Sequence, residues 1–174
     1  MSFRFFIVLL TSAAAVLLQI AVVYLLPPPW NTINVLLVTL IILLITWESG
    51  AVVWAGFLAY WLLELYAATP FGYLLTAGTV ALLAAYWLYQ YLFTNRSWYA
   101  AATMAAAALL LYRGLLFGLQ RIVSFFGGPS VPWPTMAIMW QQATELALST
   151  LLAAIISIFL FWQPRQRSRL FFIR

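Results

Sequence analysis

Thr135–Trp162, TMAIMWQQATELALSTLLAAIISIFLFW, is a run of 28 residues with a single charge, Glu145. About 20 apolar residues in a helix suffice to cross a hydrocarbon core of roughly 30 Å, so this stretch reads as a membrane span. The rest of the chain has the same character. Of its 174 residues 67% are hydrophobic and only 6% are charged, whereas soluble domains carry roughly 25% charged residues. The composition predicts an all-α integral membrane protein. With neither cysteine nor histidine, it offers no disulfide framework, no thiolate metal site and no imidazole relay. No metal site, catalytic residue or cofactor is expected. All eight positive charges are arginine, and the net charge is +5. So small and local an excess sets membrane topology and does not mark a nucleic-acid-binding surface.

Working outward from the last span, six transmembrane helices are expected, making up a domain over residues 1–162. The first runs from about Phe5 to Leu26 and stops at Pro27, Pro28 and Pro29, which cannot continue a helix. A signal peptide is the competing reading of this segment, since Arg4 precedes an apolar run; the run exceeds an ordinary signal core and no small-residue cleavage site precedes the prolines. The second lies between Trp30 and Trp47, two indoles suited to opposite interfaces, and Glu48, Ser49 and Gly50 make the return. The third covers Gly50–Leu65, the fourth Phe71–Phe93, and the fifth starts at Trp98 and reaches Phe117 or beyond. A Gly- and Pro-rich loop, Phe125–Pro134, leads to the last. Residues 163–174 form a basic tail.

The arginines orient this bundle. With six spans, Arg4, Arg96, Arg165, Arg167, Arg169 and Arg174 fall on one side and Arg121 on the other, so the positive-inside rule places both termini in the cytoplasm. At 1.5 Å per helical residue, Glu64 stands about 21 Å above the inner end of its helix and Arg113 about 22 Å above that of its own. Glu145 lies about 15 Å below the outer boundary, after Gln141, Gln142 and Thr144. A charge near the bilayer centre costs about 2.5–3.5 kcal/mol even on the insertion scale, and such residues normally face a bundle interior and pair. The expectation is a buried polar cluster of Glu64, Arg113 and Glu145 in the outer half, with Arg121 closing it. The competing reading has each helix snorkel its own charge to water.

Two further features admit two readings each. Ala51, Ala55 and Ala59, with Gly56 beside them, recur every four residues, as do Ala101 with Ala105 and Ala102 with Ala106. Such faces let helix backbones approach closely in lipid, whether within the bundle or against a partner's helix. The tail combines Arg165, Arg167, Arg169 and Arg174 with Leu170, Phe171, Phe172 and Ile173. It serves as a topology anchor on anionic lipid or as a docking strip for a cytoplasmic protein. Trp133 in the outer loop is a candidate contact for a partner outside the membrane.

From Trp47 to Phe117 the chain resembles the rod-shape-determining protein MreD family. The family pattern puts glycines, then an acidic residue closing a span, a short turn, and a glycine opening the next span; the matching residues are Gly56, Glu64, Thr69 and Gly72. The connection Asn95, Arg96, Ser97, followed by Trp98, also matches. Two positions depart: Asp is usual where Glu64 stands, and a glycine common four residues before it is Tyr60 here. The resemblance implies a bundle similar to the substrate-binding subunits of energy-coupling-factor transporters. It also implies a non-enzymatic scaffold role in cell-wall elongation in the bacterial inner membrane, with MreC-like, RodA and penicillin-binding synthase partners besides membrane lipids. The alternative is a small-molecule, vitamin-like binding subunit of a transporter. There Arg113 would hold an anionic group, Glu64 or Glu145 a cationic one, and Trp133 would stack on a ring. An enzyme is disfavoured, because Ser12, Ser49 and Ser149 have no histidine partner.

Overall fold

The computed structural model describes residues 2–67, 69–92, 97–127 and 133–162. Six α-helices follow one another: α1 (Ser2–Leu25), α2 (Val35–Trp47), α3 (Ala51–Glu64), α4 (Tyr73–Tyr91), α5 (Trp98–Phe125) and α6 (Met136–Trp162), with a one-turn 3-10 helix, Trp30–Thr32, before α2. The basic tail with Arg165, Arg167, Arg169 and Arg174, the Asn95–Arg96 connection and the middle of the last loop lie outside the described residues, as does the Arg4 side chain.

The helices begin and end within a few residues of the six expected spans. The expectation of six membrane crossings is corrected in one respect. Among the described residues two helices are long and apolar enough to cross a membrane, Trp98–Phe125 and Met136–Phe161. Leu9–Leu25, Val35–Trp47 and Ala51–Glu64 are apolar but shorter. Helix α4 has 19 residues, and its tyrosines at 73, 86, 89 and 91, with Thr76, Thr79 and Gln90, dilute its apolar content.

The centre of the fold is α2. Its sequence, VLLVTLIILLITW, is apolar on every side, which is the pattern of a helix surrounded by protein. Leu36, Leu37, Leu40, Ile41 and Leu44 are fully buried, and α2 packs against every other α-helix. Around it α1, α3, α4, α5 and α6 form an incomplete ring in that order. Helices α1 and α6 do not meet directly; the 3-10 turn touches both and spans the gap at one end.

Alanine makes the ring tight. Ala55 and Ala59 on α3, Ala77, Ala81 and Ala85 on α4, and Ala101, Ala105 and Ala108 on α5 are all buried, so the neighbouring backbones come close. The small-residue face of α3 is thus used within the fold. Ala55 and Ala59 are not free to meet a partner's helix, and Ala51 is half-buried.

Two glycines set the α3–α4 contact, and their tolerances differ. A Cβ on Gly56 would lie 2.2 Å from the Leu82 Cδ2 methyl, while one on Gly78 would lie 2.4–2.5 Å from three atoms of the Tyr60 ring. Leu82 has a rotamer to change, but the fully buried Tyr60 ring is also stacked near Tyr112, with centroids 5.8 Å apart. Gly78→Ala is therefore expected to lower stability in detergent by about 1–3 kcal/mol, and Gly56→Ala by clearly less. Thermal unfolding of the two variants checks the order, and equal losses would refute this account of Tyr60.

At one end of the bundle the Tyr89 hydroxyl donates to Glu48 Oε1 at 2.7 Å, tying the α2–α3 return to the last turn of α4. Glu48 itself takes a left-handed conformation, φ 51°, to make that return. At the other end α5 and α6 outrun their neighbours. The fully buried residues of α5 stop at Tyr112 and those of α6 begin at Glu145; Leu115 and Leu116 still pack against the core, and the tip of the hairpin, with Phe125, Phe126, Trp133 and Met136, is exposed.

Candidate functional site

The contacts at the first turns of α2 and α4 account for Asn34, Ser149 and Glu64 among the buried polar residues of the fold. The first four N–H groups of any α-helix have no partner within the helix. In an apolar surrounding they must be met by side chains.

At the start of α2, Asn34 Oδ1 accepts from the Leu37 amide at 3.0 Å and Gln19 Oε1 from the Leu36 amide at 3.1 Å. Gln19 Nε2 donates to the Ile33 carbonyl at 3.2 Å, and the Asn34 amide donates to Ser149 Oγ at 2.9 Å. Side chains from α1 and α6 thereby fix where α2 begins. Glu145 stands one turn before Ser149 on α6. Glu145 in turn pairs with Arg113 on α5. The Glu145 side chain is 4% exposed and that of Arg113 is 42% exposed, so the pair is asymmetric. Its carboxylate is sealed and its guanidinium is half open.

At the start of α4, Glu64 provides the cap. Its Oε1 accepts from the amides of Gly72 at 2.7 Å and Leu74 at 3.0 Å, and its Oε2 from Leu75 at 3.3 Å. Gly72 has φ 102°, a left-handed conformation that glycine adopts without strain, and this turns the chain so that all three amides face the carboxylate. A negative charge here also complements the positive end of the helix dipole. Glu64 is 3% exposed. It is held entirely by backbone amides of the next helix.

The structure thus divides the expected cluster. Arg113 and Glu145 come together, but Glu64 is engaged with α4, and among the described residues no ion pair joins it to Arg113. Tyr60 and Tyr112 stack between α3 and α5, beside these charged groups. Arg121 does not close the cluster either. Its guanidinium lies between two rings, 5.0 Å from the Phe117 centroid and 4.3 Å from that of Trp133, an arrangement in which the π faces attract the cation. Trp133 is 76% exposed and stands at the tip of the α5–α6 hairpin. Arg121 is two turns, about 12 Å, along α5 from Arg113.

Gln19, Asn34 and Ser149 do not stand out in the sequence as members of this network. Asn34 carries a signal, since asparagine immediately before an apolar run is a helix N-cap pattern. Gln19 and Ser149 carry none, because their partners are 17 and 115 residues away in the chain.

Among the described residues, clefts open on two flanks of the bundle. One, of about 280 Å³, lies between α1 and α3 and is lined by Leu9, Ser12, Ala55, Ala59 and Trp61 among others. The other, of about 240 Å³, lies between α5 and α6 against Arg113, Gln142 and Glu145. Among the described residues no group of three or more acidic, histidine or cysteine side chains is placed to hold a metal ion. The chain matches no family model, and no curated protein or solved structure is significantly similar to it.

Proposed function

We propose that the chain crosses a bacterial cytoplasmic membrane six times, with both termini in the cytoplasm, and acts as a non-enzymatic scaffold subunit of the cell-wall elongation complex. The scaffold role is the one that its resemblance to the MreD family implies. The observation that carries the reading is the use made of the interior polar groups. Glu64 caps α4, Gln19 and Asn34 cap α2, and Glu145 is bound by Arg113. These contacts serve to hold helices in place.

The same capping supports six crossings in spite of the short helices. At 1.5 Å per residue, α2 and α3 span about 20 Å, less than the roughly 30 Å core. Non-helical backbone at membrane depth is tolerated where protein buries it. The start of α2 is buried and hydrogen-bonded in that way.

Such a scaffold meets its partners through lipid-facing helix sides and the outer hairpin. Photo-crosslinking in native membranes tests the reading, with probes at Trp133 and at Trp54, an exposed position on α3. A single-span periplasmic coiled-coil protein and glycan synthases are the expected captures. Recovery of a transporter's ATPase and coupling subunits would overturn the scaffold role in favour of a solute-binding subunit.

A further inference from the structure

We propose that the cleft between α5 and α6 seats a glycerophospholipid of the outer leaflet, its phosphate on Arg113 and Gln142 and an acyl chain running past Leu109, Leu110 and Leu146. This inference rests on the membrane-crossing reading above.

The hydrogen bonding of Arg113 is unfinished. A guanidinium carries five N–H donors in a rigid fork. Glu145 is bound through Nη2, 42% of the side chain remains exposed, and Arg113 lines the cleft. Surrounding hydrocarbon offers no acceptor for the remaining donors. A phosphodiester does, in the planar bidentate geometry that arginine favours.

The order of residues along the cleft points the same way. Helix α5 rises and α6 descends, so Gln142 lies about one turn above Glu145, while Leu109 and Leu110 lie about one turn below Arg113. The lining is therefore polar at its outer end and apolar toward the bilayer centre, with Ala143 leaving room between. A phospholipid in the outer leaflet has the same polarity along the same axis. Arg113 stands about 22 Å above Trp98, some 8 Å short of the outer edge of a 30 Å core. A snorkelling arginine covers part of that distance by reaching outward toward the headgroup.

Native mass spectrometry of the full chain in detergent, titrated with phosphatidylglycerol and with a diacylglycerol of the same acyl chains, tests the proposal. One phospholipid per chain is expected to be retained, with diacylglycerol bound roughly tenfold more weakly for want of the phosphate. The double variant Arg113→Gln/Glu145→Gln, whose amides keep a hydrogen bond between α5 and α6, is expected to lose roughly tenfold in phospholipid affinity. Ala143→Phe, which fills the cleft and leaves the ion pair in place, is expected to do the same. Unchanged retention in both variants would overturn the site. So would a photoprobe at Leu110 that captured a protein in place of phospholipid. Alkaline carbonate extraction of the same membranes separates the two levels: release of the chain sinks the membrane reading itself, whereas a chain that stays embedded but shows equal lipid retention sinks only the lipid site.

Discussion

Arg113→Leu is expected to destabilise the protein in detergent by about 3–5 kcal/mol, more than any other single substitution proposed for this chain. The loss comes less from the attraction removed than from the carboxylate left behind. Glu145 is sealed inside the bundle, with its side chain 4% exposed, and among the described residues Arg113 is its ion-pair partner. The double variant Arg113→Leu/Glu145→Leu is expected to recover most of the loss, because replacing a buried pair by apolar residues is often close to neutral. A double-mutant cycle on thermal unfolding measures the coupling. If the single and double variants unfolded alike, Glu145 would not depend on Arg113 and the pair would not hold α5 to α6.

Glu64→Ala ranks second, at roughly 2–4 kcal/mol. It leaves the amides of Gly72, Leu74 and Leu75 without their acceptor at once. The damage is expected to be local, so hydrogen exchange is the sharper measurement. Exchange at Leu74 and Leu75 rises while exchange in the middle of α2 changes little. Glu64→Asp is expected to fall between wild type and Ala, since a side chain one methylene shorter keeps the charge but not the reach to Leu75, already at 3.3 Å. Unaltered exchange at Leu74 and Leu75 in Glu64→Ala would show that the carboxylate is not their cap.

Four residues before Glu64 stands Tyr60, whose ring lies where a Cβ of Gly78 would be. The glycine that gives close approach is supplied by α4, and the large residue by α3.

Composition and periodicity were sufficient for the helix count and its limits. Runs of apolar residues separated by Pro27–Pro29, Glu48–Gly50, Thr69–Pro70 and the glycines near 127 leave little freedom in where helices begin and end, because proline and glycine act on the backbone locally. The three charges within these runs were equally plain. Their partners were not. Glu64 and Arg113 stand at nearly the same height along their helices, yet one reaches forward 8 residues to Gly72 and the other across 32 residues to Glu145. Height along a helix axis says nothing about rotation around it. Which face each helix turns inward follows from packing about α2, where alanines and glycines admit one close arrangement. That packing alone made Glu64 a cap, gave Glu145 its cation, and left Arg113 half open on the flank of the bundle.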